Sequence, residues 1–156
     1  MIRIAVLSDS HGLLRRSVVD KVKSCSFILH AGDIISQGDL DELAVYGNLY
    51  AVRGNCDMWQ RGVSDLAKFL RFQIDGVSFY MTHDPYDIPA DLEGVQAVIY
   101  GHTHQYREEW QEGRLYLNPG SCGRSRFGGD VTMAVLSVAN GKIADIERVR
   151  LNDADY

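Results

Sequence analysis

Three things are scarce in this chain: cysteine, long hydrophobic runs and positive charge. Its 156 residues include three cysteines without a short pairing pattern, so we expect a reducing compartment and no disulfide framework. No apolar run reaches the length of a membrane span or a signal-peptide core, and we therefore expect a cytoplasmic protein. Because 21 acidic residues outnumber 16 basic ones, the formal charge of −5 argues against nucleic acid as the partner.

What remains is the composition of a globular protein. Hydrophobic residues make up 46% of the chain and charged residues 24%, which is typical of a folded domain. A chain of this length buries roughly two thirds of its unfolded surface. No repeat, linker or low-complexity stretch divides it. We therefore expect a single domain over residues 1–156.

Strand and helix patterns alternate in the first third of the chain. Ile2–Leu7 is predicted to be a buried strand, and apolar residues between positions 14 and 22 recur at helical spacing. Two further predicted strands, Phe27–Asp33 and Leu49–Asn55, flank a short helix. This alternation favours a parallel sheet with right-handed crossover helices.

Hairpins replace helices in the rest of the chain. The turn-forming pairs Asp75-Gly76, Glu112-Gly113 and Asn140-Gly141 each separate two strand-like runs. A further apolar run, expected to be a buried strand, ends at Gly101. The two halves together predict an α/β fold of two packed mixed sheets with helices outside.

Polar side chains collect where the predicted strands end. The sequences SDSHG, AGD, RGNCD, MTHD and GHTH each follow such a strand, often with a glycine that lets backbone and ligand approach closely. Sites in α/β sheets form at the carboxyl ends of strands. We therefore expect seven potential ligands to converge there: Asp9, His11, Asp33, Asn55, His83, His102 and His104. Such carboxylate, imidazole and amide ligands suit Mn, Fe, Zn or Ni, and their number suits two ions that share a carboxylate.

In this order the motifs resemble those of the calcineurin-like metallophosphoesterase superfamily, which are D-x-H, G-D, G-N-[HC]-D, a later His and G-H-x-H. The small size and the sequence GNCD resemble the compact bacterial and archaeal phosphodiesterase branch, in which the NPGS of residues 118–121 is also familiar. The resemblance implies a four-layer α/β/β/α sandwich of two mixed sheets flanked by helices. It further implies a metal-dependent phosphodiesterase that acts on small-molecule phosphate esters.

The resemblance also implies how the ligands are shared between two divalent ions. One ion would be held by Asp9, His11, Asp33 and His104, and the other by Asp33, Asn55, His83 and His102. Manganese is the first expectation, with nickel, iron, zinc and magnesium as alternatives. A hydroxide between the ions would attack phosphorus in line, with Asp33, Asn55 and His102 as the expected catalytic residues.

Two positions depart from the usual superfamily pattern. Cys56 stands where many members carry a histidine, and a thiol with an ordinary pKa of about 8.5 is a poor substitute at neutral pH. Missing acid assistance would cost on the order of 10²–10⁴ in rate for poor leaving groups. We therefore expect modest activity. Asp84 follows His83 where relatives often have glycine, and it can bind a ligand or narrow the pocket.

The sequence indicates the residues that would contact the substrate less clearly than it indicates the metal ligands. The candidates are Arg53, Asn55, Ser121 and Arg124, with Arg126 as an alternative to Arg124. Ser121, Arg124 and Arg126 lie in a glycine-rich segment. This segment either binds a phosphate group or forms a flexible turn, and the sequence favours neither alternative. Nearer the metal ligands, Asp57 is expected to cap the next segment or orient Asn55 rather than to bind metal, and His30 to be a satisfied inner histidine rather than a ligand.

Two other functions compete with hydrolysis of small phosphate esters. The fold also resembles a eukaryotic retromer subunit that serves as a scaffold, and this subunit likewise lacks the histidine at the position of Cys56. The complete ligand set favours the enzyme, because a scaffold has no need of it. A nuclease is disfavoured by size and negative charge. We therefore expect a small-molecule partner, without membrane or nucleic acid, and leave a homo-oligomer open.

Overall fold

Two five-stranded sheets make up the fold in the computed structural model, which describes residues 1–125 and 129–151. The first sheet contains, in spatial order, β10 (Lys142–Arg150), β9 (Thr132–Ala139), β1 (Ile2–Leu7), β2 (Phe27–His30) and β3 (Asn48–Ala51). The second contains β4 (Phe69–Ile74), β5 (Val77–Thr82), β6 (Ala97–Ile99), β8 (Arg114–Pro119) and β7 (Tyr106–Gln111). Arg126, one of the candidate phosphate contacts, lies outside the described residues.

Helices cover the outer face of the first sheet. Strands β1, β2 and β3 pair in parallel, so each needs a crossover to reach the next, and helices α1 (Arg16–Val22) and α2 (Gln37–Tyr46) supply these crossovers. Val18 and Val22 of α1 and Leu43 of α2 pack with Leu7 and Ile28. The predicted alternation of strand and helix is confirmed here.

The two sheets face each other across an apolar core. Alternation along β1 sends Ile4 and Val6 into this core and turns Ala5 and Leu7 towards the helices. From the second sheet, Phe79 and other residues of β5, β6 and β8 fill the opposite side. The predicted two-sheet α/β sandwich is confirmed.

The fourth layer, on the outer face of the second sheet, is thinner than the helical layer. Leu92 and Val95 pack there against Tyr80, Val98 and Tyr100. They belong to the connection between β5 and β6, in which the regular structure is a 3₁₀ turn (Pro85–Asp87). A loop thus covers the face where the resemblance implied helices.

All three predicted hairpin turns are present, at β4–β5, β7–β8 and β9–β10. In the last turn, Asn140 and Gly141 have φ of 53° and 74°, as a tight turn that matches the strand twist requires. Two strand predictions are too long at their ends, because the chain leaves the ladder after His30 and after Ala51. In the part of the chain that is described, no helix is long and apolar enough to cross a membrane.

Candidate metal centre

The loops that follow β1, β2, β5 and β6 meet at one edge of the sandwich. His83, after β5, places its Nε2 3.2 Å from Asp33 Oδ2 and 3.8 Å from Asp9 Oδ1. Asp9 and Asp33 come from the first sheet, whereas His83 comes from the second. The predicted convergence of strand ends is therefore a contact between the two sheets.

Asp9 is fully buried, and its two carboxylate oxygens have different surroundings. Oδ2 accepts hydrogen bonds from the Ser8 hydroxyl at 2.6 Å and from the His102 backbone N–H at 3.0 Å. Oδ1 accepts none, and lies 3.3 Å from His104 Nε2 and 3.7 Å from His11 Nε2. One oxygen thus holds the loop, and the other faces two imidazoles.

Asp33 shows the same division of roles. Its Oδ1 accepts a hydrogen bond from the Cys56 backbone N–H at 2.9 Å. Its Oδ2 lies 3.2 Å from His83 Nε2 and 3.5 Å from His11 Nε2, between a histidine of each sheet. Asp33 is therefore in contact with a histidine from each of the two sheets.

The four histidines form two pairs. His11 and His104 stack with ring centroids 5.2 Å apart, while His83 and His102 meet edge to face at the same separation. His83 Nδ1 lies 2.8 Å from the Ala31 carbonyl oxygen, to which it can donate, and this leaves Nε2 towards the carboxylates. The two histidines of GHTH therefore belong to different pairs, which is the arrangement needed if they serve different ions.

The acids and histidines of the cluster stabilise each other's charged forms. Burial alone would raise the pKa of Asp33, but the hydrogen bond and charge of His83 outweigh it and hold that pKa well below its ordinary value. The pKa of Asp9 is also lowered, since the neighbouring His11 and His83 outweigh its burial. The pKa of His83 is raised, because its bond to Asp33 outweighs desolvation. Both acids are therefore anionic at neutral pH.

The donor set fits a divalent cation. Asp9 Oδ1 and His11 Nε2 are buried without a hydrogen-bond partner, which is costly unless another ligand satisfies them. Three groups of ligand atoms each lie within 4.8 Å of one another: Asp9, His11 and His104; Asp9, Asp33 and His83; and His11, Asp33 and Cys56. Carboxylate and imidazole together suit Mn, Fe, Co, Ni or Zn.

Asn55 differs from the other six predicted ligands. Each of those six contacts at least one of the others, whereas Asn55 is exposed at the rim, and its Nδ2 lies 3.7 Å from Cys56 Sγ. The loop that carries it is held by Asp57, which is fully buried. The Asp57 carboxylate accepts from the backbone N–H groups of Asp33 at 2.9 Å, Gly54 at 2.8 Å and Ile35 at 2.7 Å. As expected, Asp57 anchors the loop.

The backbone is strained at most of the cluster. Five of the predicted ligands have positive φ, namely Asp9 (56°), His11 (48°), Asp33 (60°), His102 (75°) and His104 (62°). A residue with a side chain adopts this conformation at a cost of roughly 1–2 kcal/mol. Backbone hydrogen bonds like those between paired strands offset this cost. The Asp9 N–H donates to the Gly32 carbonyl, and the His11 N–H donates to the Asp33 carbonyl. The loops after β1 and β2 thus support each other.

His30 lies behind the cluster and is hydrogen-bonded at both ring nitrogens. Nδ1 accepts from the Gly32 backbone N–H at 3.1 Å, so Nε2 carries the proton and donates to Ser10 Oγ at 2.9 Å. Burial lowers the pKa of His30 to about 4. The side chain is therefore neutral at pH 7, and the prediction of an inner, satisfied histidine agrees with these contacts.

A cleft of about 200 Å³ opens beside Asn55 and His83. Arg53 lines it and is half-buried, with Nη1 3.4 Å from the Leu66 carbonyl oxygen. Lys68 and Met58 also line it, and the sequence marked neither because they belong to no motif. Asp84 lines the cleft as well, which fits the expectation that it contacts a ligand or narrows the pocket.

In the glycine-rich segment after β8, Ser121 supports the fold and is not open to a substrate. That side chain is 3% exposed, and its hydroxyl donates to the Asp9 carbonyl at 2.9 Å, so it supports the loop of Asp9. Arg124 is exposed. Sequence reasoning missed Arg15, which is fully buried and donates from Nε and Nη2 to the Gly123 carbonyl. Nothing in the pattern distinguished it from a surface arginine at a helix start.

Comparison with known proteins assigns the chain to a family. Residues 2–141 match the calcineurin-like phosphoesterase superfamily domain. A probable metallophosphoesterase of Methanothermobacter thermautotrophicus is 30% identical, over 94% of this chain and 91% of the relative. A phosphodiesterase of Methanocaldococcus jannaschii is 27% identical, over 77% and 84% of the two chains.

Solved structures agree with this assignment. An archaeal phosphodiesterase superposes with a TM-score of 0.79 at 24% identity, covering 96% of this chain and all of that one. Vps29 of Entamoeba histolytica, complexed with Zn²⁺, superposes with a TM-score of 0.74 at 19% identity, covering 96% and 98% of the two chains. The resemblance expected from the motifs is confirmed: this chain belongs to the calcineurin-like phosphoesterase superfamily.

Proposed function

We propose that this protein is a metal-dependent phosphodiesterase that hydrolyses small-molecule phosphate esters with two divalent cations. The observation that carries the proposal is the position of Asp33, whose Oδ2 lies between His83 of the second sheet and His11 of the first. A carboxylate so placed can serve two ions, and paired ions are the usual arrangement in phosphatases and nucleases.

The contacts favour the division of ligands that the family resemblance implies. Asp9, His11, Asp33 and His104 would hold one ion, and Asp33, Asn55, His83 and His102 the other. Asp9 Oδ1 faces both histidines of the first set, whereas His102 pairs with His83 in the second. Manganese remains our first choice among the metals, since oxygen and nitrogen ligands dominate.

The chain's own groups would position the substrate around these ions. When bound, the ions would supply a water of lowered pKa and neutralise charge on the phosphoryl oxygens. Asn55 and Arg53, which line the cleft, can donate to the phosphate. The cleft would then hold one alcohol portion of the ester. Arg124 is exposed and is retained as a candidate for the distal part of the substrate.

The size and charge of the cleft support a small substrate. Its volume of about 200 Å³ is below the range of roughly 300–1,000 Å³ that is typical of drug-sized ligands. Basic Arg53 and Lys68 face acidic Asp84 and Asp87 across it, so it carries no strong excess of either sign. A small polar ester suits this lining better than a polynucleotide. We retain the cytoplasmic location and the single domain over residues 1–156 as predictions.

A non-catalytic scaffold is the alternative, and the similarity to Vps29 favours it. Against it stands the energetic cost of the cluster. Asp9 Oδ1 and His11 Nε2 are buried without hydrogen bonds, and both residues have positive φ. A scaffold that docks through its surface gains nothing in return for such a cost, whereas an enzyme does.

Hydrolysis of bis(p-nitrophenyl) phosphate with and without Mn²⁺ tests the proposal. We expect turnover that requires the ion, disappears with a chelator and returns when the ion is restored. A parallel assay with p-nitrophenyl phosphate separates diester from monoester preference. Turnover that survives chelation, or no turnover with Mn²⁺, Ni²⁺, Fe²⁺, Zn²⁺ or Mg²⁺, would favour the scaffold.

A further inference from the structure

The third group of donors in the metal centre contains sulfur. The Cys56 thiol lies with His11 and Asp33 in a group whose ligand atoms are all within 4.8 Å of one another. Cys25 and Cys122, the other two cysteines, are buried in the core between the first sheet and its helices. Cys56 alone among the three is accessible from the centre.

The backbone keeps the sulfur near Asp33. Cys56 is the middle residue of a short 3₁₀ helix (Asn55–Asp57), and its N–H donates to Asp33 Oδ1 at 2.9 Å. Asp57 anchors the same helix by accepting from the N–H groups of Gly54 and Asp33. A Cβ on Gly54 would lie 2.1 Å from Asp33 Oδ1, so the two loops are already in close contact. The backbone that carries the thiol is therefore held beside Asp33.

A separate observation indicates that the cluster takes up a cation. Asp9 is fully buried, yet its Oδ1 has no hydrogen-bond partner and lies 3.7 Å from His11 Nε2. His11 Nε2, which also lacks a hydrogen bond, lies 3.5 Å from Asp33 Oδ2. A cation between these atoms would satisfy them, and two of its ligands, His11 and Asp33, also belong to the group that contains Cys56.

We infer that Cys56 is a thiolate ligand of the cation held by His11 and Asp33. The inference rests on the proposed metal centre and adds a ligand to it. On binding, the sulfur–hydrogen bond breaks, the proton passes to solvent and the sulfur electron pair forms the bond to the cation. With five donors, some lie near right angles, and bonds of about 2.3 Å to sulfur and 2.0 Å to nitrogen then place the donor atoms roughly 3 Å apart. Closure from a separation of up to 4.8 Å needs a movement of at most about 2 Å.

A sulfur ligand changes which cations the centre prefers. Thiolate favours Zn²⁺ and Co²⁺ over Mn²⁺ and Mg²⁺, which prefer oxygen. The mixed donor set thus binds one softer ion more tightly than an oxygen and nitrogen set of the same size. The motif pattern alone indicated a site without thiolate, because it does not show that Cys56 faces Asp33.

Cobalt substitution gives a direct test. The purified protein is loaded with Co²⁺, and its absorption is compared with that of Cys56→Ser and of the control Cys25→Ser. We expect a near-ultraviolet charge-transfer band from thiolate to cobalt in the wild type and in Cys25→Ser, and its loss in Cys56→Ser. Metal content is measured in parallel, so that loss of the band is separated from loss of the ion.

Binding constants supply a second readout. In Cys56→Ser, we expect the affinity for Zn²⁺ to fall about 10–100-fold, while that for Mn²⁺ changes less than about threefold. Equal losses for both ions, or a wild-type protein that binds Co²⁺ without the band, would overturn the inference. Failure to bind Co²⁺ at all would overturn it as well.

Different experimental results would contradict the inference about Cys56 and the proposed function. Turnover of the diester without the cobalt band would remove Cys56 from the ligand set and leave the phosphodiesterase. The band without turnover under any cation would confirm the ligand and count against the enzyme.

Discussion

The two sheets bring different chemistry to the same centre. The first supplies both buried carboxylates, Asp9 and Asp33, whereas the second supplies three of the four imidazoles, His83, His102 and His104. Two acids alone would repel each other, whereas the imidazoles of the second sheet stabilise their charged forms. The comparison teaches that the centre is a product of packing: it forms only when the two sheets dock through their common core.

Removing Asp33 should have the largest effect, because it is the acid that contacts histidines of both sheets. For Asp33→Asn we expect kcat/KM for the diester to fall on the order of 10³-fold and the content of both ions to fall together. Asp145→Asn, an exposed position on β10, removes the same charge and serves as the control. Near-normal turnover of Asp33→Asn would show that the carboxylate is not shared.

Replacing one histidine from each pair sharpens the comparison. We expect His104→Gln and His83→Gln each to retain about one ion per chain and to lose on the order of 10² in kcat/KM, because each leaves the other ligand set intact. The double variant should bind neither ion. Metal analysis after gel filtration checks this. If one single variant released both ions, the two pairs would belong to one site.

Asp57 tests how the loops of the first sheet are supported, without a change to any proposed ligand side chain. The Asp57→Asn change weakens three charge-assisted bonds to backbone N–H groups, and we expect the free energy of unfolding to fall by roughly 3 kcal/mol. The exposed Asp65→Asn is the control, with a change near zero. Equal unfolding midpoints in urea for the two variants would contradict the anchoring role.

His30 should make a smaller, pH-dependent contribution. Its folded pKa of about 4 lies below the ordinary 6.5, so the unfolded chain binds more protons, and stability present above pH 6.5 is lost as the pH falls towards 4. We expect about 2 kcal/mol of this loss between pH 7 and pH 5. His30→Gln should lose less over the same interval. Identical pH dependence of urea unfolding in the two proteins would rule the contribution out.

The fold was predictable where local chemistry decides it. Asn140-Gly141 adopts the positive φ values that these residues tolerate, and Ile2–Leu7 forms the central buried strand that its apolar run predicts. Over the second sheet, the described residues form a loop with a 3₁₀ turn where the resemblance implied helices, and Leu92 and Val95 of that loop cover the face. Apolar spacing shows that a face is buried, but not by which kind of element.

The candidate site was predictable as a set of residues but not in its inner arrangement. Strand ends and motif order indicated Asp9, Asp33 and the histidines, which lie together at one edge of the sandwich. The sequence could not show that Ser121 faces the Asp9 backbone, or that Arg15 lies fully buried against Gly123. These contacts join residues more than 100 positions apart, and no local pattern encodes them.

The left-handed backbone at Asp9, His11, Asp33, His102 and His104 has an evolutionary consequence. Glycine adopts this conformation without the penalty, so replacing such a residue by glycine would relieve conformational strain while removing a donor. Selection for the stability of the fold alone would therefore favour the loss of these donor side chains.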